Sequence, residues 1–179
     1  MLIKIKNNLI NIPGWRTKRK IIVIESDDWG SIRMPSKKVL NQLDKKGFIP
    51  NNDYYNRFDS LASENDLSNL FEILSSVKDK NENPAIITAN TIVANPDFKK
   101  IAGSNFREYK YELFTETLKK YPKHKNSFNL WKEGMNNNLF HPQFHGRDHV
   151  NITAWMNKLI ANDLITKKAF KNEFTAFLK

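Results

Sequence analysis

The stretch that decides the fold is residues 20–30, which read KIIVIESDDWG. Its run of β-branched residues predicts a strand over Lys20–Ser26 that is buried on both faces, as strands are in a parallel sheet. The strand leads directly into two neighbouring acids, Asp27 and Asp28. Adjacent carboxylates at the end of a buried strand repel each other and lose hydration. A divalent cation would offset both the repulsion and the lost hydration. The stretch therefore predicts a strand that ends at a candidate metal site.

The composition is that of a globular protein, with 179 residues, 40% of them hydrophobic and 27% charged. The net charge of +10 comes mostly from lysines spread along the chain, which indicates a solvated surface. Without an arginine-rich block or an aromatic-glycine motif, we do not expect a nucleic-acid partner. The absence of cysteine excludes disulfides and cysteine-bound zinc. No apolar run has signal-peptide or transmembrane length, so we expect a cytoplasmic protein without membrane insertion.

Strand and helix patterns alternate after a basic lead-in at residues 1–19. Further strands are predicted at 84–89 and 139–144, where short apolar runs recur. Helices fill the intervals and the C-terminal part, and they begin at predicted caps. These predicted starts are Ser36, Ser63 with Asp66, residues 95–97 with Pro96 in the first turn, Asn151 and Thr166. The order predicts an α/β fold with parallel strands and flanking helices over residues 20–179.

Three histidines lie close together near the predicted third strand: His141, His145 and His149. Residues four apart share one face of a helical turn, so His145 and His149 could present two nitrogens to one metal ion. Pro142 argues against a helical turn through His141. From the spacing alone, two hydrogen-bonded or surface histidines remain an alternative. Their place after another strand favours the metal, because the carboxyl ends of parallel strands meet at one edge.

Three segments resemble the polysaccharide deacetylase family of carbohydrate esterases. Residues 26–30, SDDWG, resemble the family's first motif, Thr-Phe-Asp-Asp-Gly. Residues 145–153, HGRDHVNIT, look like its second motif, His-Ser/Thr-x-x-His-Pro-Asn-Leu-Thr. Between them, residues 83–90 and 95–97 are similar to the second strand and the proline-started helix. The segments occur in the family's order and span roughly residues 20–160.

The resemblance implies a distorted (β/α) barrel and a metal-dependent hydrolase that removes an acetyl group from an N- or O-acetylated sugar or polysaccharide. It further implies that Asp28, His145 and His149 bind a divalent metal ion, with zinc as the default. Asp27 would then be the general base that takes a proton from the attacking water. An ion with one carboxylate and two imidazoles keeps open positions, as catalytic sites do.

Three further residues near these motifs are candidate substrate contacts. Trp29 could stack on a sugar ring, or it could close the end of the strand as a structural residue. Arg147 could bind an anionic sugar substituent or orient Asp27, or it could lie on the surface. His141 could be a third nitrogen ligand or a substitute proton donor. Outside these three, Arg33 could also bind an anionic substituent or orient Asp27, but a surface position is favoured for it.

The chain also departs from the family pattern. After His149 it contains no histidine and no arginine, whereas the family's later motifs supply an arginine that orients the base and a histidine that acts as general acid. We therefore expect residues 20–179 to form a partial barrel, incomplete at the C-terminus. The alternative function is a catalytically inactive or truncated module that binds a metal or a glycan. The long segment between the first two strands predicts an added lobe over the site.

Overall fold

The computed structural model describes residue 9, residues 14–48 and residues 53–175. Within these ranges the chain forms five strands and eight α-helices. The strands are β1 (Glu25–Trp29), β2 (Ile87–Ile92), β3 (Ala94–Pro96), β4 (Tyr111–Leu113) and β5 (Phe140–Gly146). The helices are α1 (Lys37–Asp44), α2 (Tyr54–Phe58), α3 (Glu64–Ser76), α4 (Phe98–Gly103), α5 (Phe114–Lys119), α6 (Ser127–Asn136), α7 (Ile152–Ile160) and α8 (Leu164–Lys171). A 3₁₀ turn over Pro122–His124 joins α5 to α6.

A parallel three-stranded sheet in the order β1-β2-β5 carries the fold. The strands β3 and β4 form a separate antiparallel pair. The α/β class, the parallel strands and the flanking helices are therefore confirmed. The strands of the described ranges do not close into a barrel, so the deacetylase-type barrel remains a prediction.

The first strand begins later than predicted, at Glu25 instead of Lys20. Ile22 and Val23 are 89% and 69% exposed, so the expectation of burial on both faces is wrong. In the described residues β1 pairs only with β2, and the pairing starts where Ile24 accepts a hydrogen bond from the Thr88 amide. A β-branched run favours an extended backbone, but only neighbouring elements can bury it.

Three predicted helix starts are confirmed because their capping bonds are local. The Ser36 side chain accepts a hydrogen bond from the Val39 amide at the start of α1. At the start of α3, Ser63 and Asp66 form a reciprocal capping box. Asn151 likewise caps α7.

Two other predicted helices are present, but their starts differ in detail from the prediction. The helix predicted to start at residues 95–97 is α4, and Asp97 caps it, but Pro96 ends β3 and does not lie in the first helical turn. Thr166 lies inside α8, where its amide donates to the cap, Asp163. In both cases an aspartate was available within three residues, and its carboxylate accepts the helix amide.

The largest core cluster lies between the parallel sheet and helices α3, α5 and α6. It includes Leu67 of α3, Leu118 of α5, Trp131 of α6 and Phe140 of β5, all buried. A second cluster joins α1 to α8, and a third joins α4, α7 and α8. Trp29 at the end of β1 and Phe140 at the start of β5 both pack in the largest cluster. None of the helices in the described ranges combines the length and apolar character that a membrane crossing needs.

Candidate metal centre

A β-bulge in β1 turns the two acids toward the carboxyl end of the sheet. Ser26 pairs with Ala89, and Trp29 pairs with Thr91, so β1 has one residue more than β2 in this interval. Within the bulge, the backbone of Asp28 has a φ of 65°. That left-handed conformation is uncommon outside glycine, although Asp tolerates it better than most residues. In a regular strand neighbouring side chains point to opposite faces, and the bulge breaks this alternation.

A second bulge places His145. Thr91 pairs with Phe144, and Ile92 pairs with Gly146, so the extra residue at this end of β5 is His145. His149 follows in the irregular segment between β5 and α7. The expected helical turn through both histidines is therefore wrong. The His145 imidazole comes from the end of β5, and the His149 imidazole comes from the loop that follows. The two rings lie close together although no helical turn joins them.

Asp28, His145 and His149 lie together, with one ligand atom of each within 4.8 Å of the others. The Nε2 atom of His149 contacts Oδ1 of Asp28, and the Nε2 atom of His145 lies 3.8 Å from the same oxygen. Ligand atoms around a tetrahedral zinc ion, at bonds of about 2.0–2.1 Å, are about 3.3 Å apart. The three ligand atoms therefore lie within the range from which side-chain rotation can bring them around one ion. Two imidazoles and one carboxylate also suit zinc and similar divalent ions, so the residues present fit the ion that the resemblance implies.

Arg33 binds the other oxygen of the same carboxylate. Its guanidinium donates to Oδ2 of Asp28 at 2.5 Å, which leaves Oδ1 facing the histidines. Asp59 anchors the Arg33 backbone, because its Oδ2 accepts the amides of Arg33 and Met34 at 2.6 and 2.9 Å. Burial raises the pKa of Asp59, while these two backbone hydrogen bonds lower it. Sequence reasoning favoured the surface for Arg33 and missed Asp59, which lies 31 residues after Asp28 with no motif around it.

Asn90 of β2 holds the predicted general base. Its side-chain amide donates to Oδ1 of Asp27 at 2.6 Å. The parallel register puts Ala89 beside Ser26, so the next residue along each strand comes close at the carboxyl end. Asn90 lies in the segment that resembles the family's second strand. Its contact with Asp27 follows only from the register between β1 and β2.

Gly30 forms the tight turn that follows β1, directly after the two acids and Trp29. Its φ is +86°, and a Cβ added there would lie 2.5 Å from the carbonyl oxygen of Ile92. Buried Asn95 fixes the same turn, since it donates to the Gly30 carbonyl at 2.9 Å and accepts the Ile32 amide at 3.0 Å.

The three candidate substrate residues have different surroundings. Trp29 packs its ring edge-on against Trp131 and Phe140, as a residue that closes the core beneath the strand end. Arg147 donates to the neighbouring Asp148 at 2.7 Å and lies over two tyrosine rings. His141 is not part of the cluster; it precedes His145 by four residues of β5, or about 13 Å along a strand.

Comparisons with known proteins give no relative. No family model, curated protein or solved structure matches this chain.

Proposed function

We propose that this protein is a metal-dependent hydrolase that removes an acetyl group from an N- or O-acetylated sugar or polysaccharide. The observation that carries the proposal is the meeting of Asp28, His145 and His149 beside a further carboxylate, Asp27. The three ligand side chains are between 33% and 39% exposed, so substrate and water can reach the centre. Catalytic metal sites keep such an open position, whereas structural sites are closed.

The ligand set supports a divalent ion, with zinc as the first choice. Asp28 would contribute Oδ1, and the two histidines would contribute Nε2. The bound ion supplies Lewis-acid polarisation of the acyl carbonyl and lowers the pKa of the attacking water.

Asp27 would accept the proton that the water loses. Asp27 is exposed, and the Asn90 amide fixes one of its oxygens, which leaves the other free to accept. A base held by a hydrogen bond does not have to be reoriented during the reaction, and this positioning lowers the barrier. The neighbouring Arg33 holds Asp28 instead of Asp27, so each acid has its own positioning partner.

A second candidate function is a module that binds a metal ion or a glycan without turnover. It is favoured by the position of His141, which is not among the ligand residues that meet in the described part of the chain and lies about 13 Å along β5 from His145. His124 faces elsewhere, with its Nε2 atom 3.0 Å from the Leu61 carbonyl oxygen.

Acetate release from an acetylated chito-oligomer, with added Zn²⁺ or Co²⁺, separates the two functions. The hydrolase predicts ion-dependent release that Asp27→Asn and His145→Ala both abolish. Asp44→Asn is the control, because Asp44 pairs with Arg57 and is not part of the cluster. Ion binding without acetate release would support the binding module and refute the hydrolase.

A further inference from the structure

A half-open cavity of about 370 Å³ lies against the carboxyl end of β1. Asp27 and Asp28 line it, together with residues 60–62 of the segment between β1 and β2, whereas His145 and His149 do not. The cavity therefore adjoins the candidate metal centre on the side of the predicted base. Its volume is in the range of small-molecule sites.

The floor of the cavity is apolar and its rim is polar. Leu61, Phe114, Leu118 and Trp131 line it and are only 4–8% exposed, because they belong to the main core cluster. The polar lining residues are Ser26, Asp27, Asp28, Ser60 and Asp66, and of these Asp27, Ser60 and Asp66 are exposed. A group that enters past the reacting centre would thus move from a hydrated rim to a floor of leucine and aromatic side chains.

The floor does not suit a sugar ring. The Trp131 ring packs against Trp29, Phe114 and Phe140 at centroid distances of 4.9–5.9 Å. Sugar stacking needs an open aromatic face, and these contacts occupy the ring. Sugar hydroxyls also lose free energy when they are buried without hydrogen-bond partners. An apolar chain has neither requirement.

We propose that this cavity receives the acyl chain of the substrate, and that the preferred acyl group is longer than acetyl. The proposal rests on the hydrolase function proposed above. The volume corresponds to about twelve water molecules at ~30 Å³ each, whereas the methyl of an acetyl group is about the size of one. The carbonyl would lie between Asp27 and the metal centre, the chain would extend toward Leu118, and the sugar would remain at the rim.

The expected effect of chain length follows from apolar burial. A buried methylene contributes about 0.8 kcal/mol, which corresponds to about fourfold in kcat/KM. N-acylglucosamines from acetyl to octanoyl, assayed with Zn²⁺, should therefore show kcat/KM rising about fourfold per methylene until the cavity is filled. A rate that falls steadily from acetyl upward would overturn the proposal.

A variant that fills the cavity provides the structural test. Ala62 lines the cavity, so Ala62→Phe should remove the preference for long chains, and kcat/KM should no longer rise from acetyl to hexanoyl. Ala102→Phe, on the exposed surface of α4, is the matched control and should keep the preference. Equal preference in both variants would contradict the assignment.

Binding of unreactive amides separates this proposal from the hydrolase itself. N-methylhexanamide should quench tryptophan fluorescence at a concentration on the order of a hundred times lower than N-methylacetamide, and Ala62→Phe should abolish the difference. If no N-acylglucosamine is hydrolysed but this difference is found, the proposed reaction fails and the apolar cavity site stands. If the amides bind alike, the cavity proposal fails even where hydrolysis occurs.

Discussion

Replacement of Arg33 by alanine should weaken ion binding at the candidate metal centre about tenfold. The substitution removes the donor to Oδ2 of Asp28 at 2.5 Å, and the carboxylate is then free to turn Oδ1 away from the histidines. Loss of a partner behind a metal ligand typically costs 10–100-fold in affinity. We expect the lower end because the side chains of Arg33 and Asp28 are 22% and 33% exposed, and solvent partly screens their interaction.

The positive charge of Arg33 acts in the opposite direction, since it repels a cation. Arg33 lies between two acids, however: it pairs with Asp28, and its charge also acts on Asp59. Their opposite charges offset most of its field, so the loss of orientation should exceed the relief of repulsion.

Titration of the metal-free protein with Zn²⁺ in a calorimeter measures this effect. Arg57→Ala is the matched control, because Arg57 forms a comparable ion pair with Asp44, with side chains 24% and 36% exposed, outside the cluster. Arg33→Lys should recover part of the affinity, since lysine keeps the charge but loses the planar fork. An unchanged or tighter Zn²⁺ affinity in Arg33→Ala would refute the reasoning.

Three further substitutions test the neighbouring contacts. Asn90→Ala frees Asp27 and should lower kcat about tenfold, with Zn²⁺ affinity unchanged; an equal loss of both would point to general disruption. Gly30→Ala forces a Cβ to within 2.5 Å of the Ile92 carbonyl oxygen at a φ of +86°, so urea unfolding should show a loss of about 2 kcal/mol or more, and a smaller loss would show that the turn relaxes. Asp66 has a lowered pKa, chiefly through the hydroxyl of its capping serine, so its contribution is present above the ordinary value of 3.8 and is lost as the pH falls through the folded value. Asp66→Asn should therefore reduce the free energy of unfolding by about 0.5 kcal/mol at neutral pH, a small value because solvent screens the exposed carboxylate, and by little at a pH below the folded value of Asp66. An equal deficit at both would contradict the ionic role.

Local chemistry made parts of the fold predictable from the sequence. The Ser63 capping box involves residues three apart, and its bonds need no tertiary context. The third strand was also predictable in spite of Pro142, because β5 is an outer strand, where a missing amide is tolerated. The burial of residues 21–24 was not predictable, since it depends on which strands and helices lie beside them.

The candidate ligands could be named from the motifs, but their geometry could not. The positions of Asp28 and His145 depend on two bulges, and a bulge is a property of the register between strands. Asn90 likewise approaches Asp27 through that register. Arg33 reaches Asp28 through a turn whose conformation is fixed by tertiary hydrogen bonds, including those of Asp59. The spacing of residues along the chain does not indicate tertiary contacts such as Asn90 with Asp27 or Arg33 with Asp28.

Titration of the metal-free protein with Co²⁺, followed by its visible absorption, tests the central claim most directly. We predict that one ion binds per chain with the intense bands of a four- or five-coordinate site, because Asp28, His145 and His149 supply three ligands and water completes the shell. His149→Ala should abolish these bands, and His124→Ala, outside the cluster, should leave them intact. The weak spectrum of hydrated Co²⁺ in the unmodified protein, or strong bands that survive His149→Ala, would contradict a metal centre at these residues.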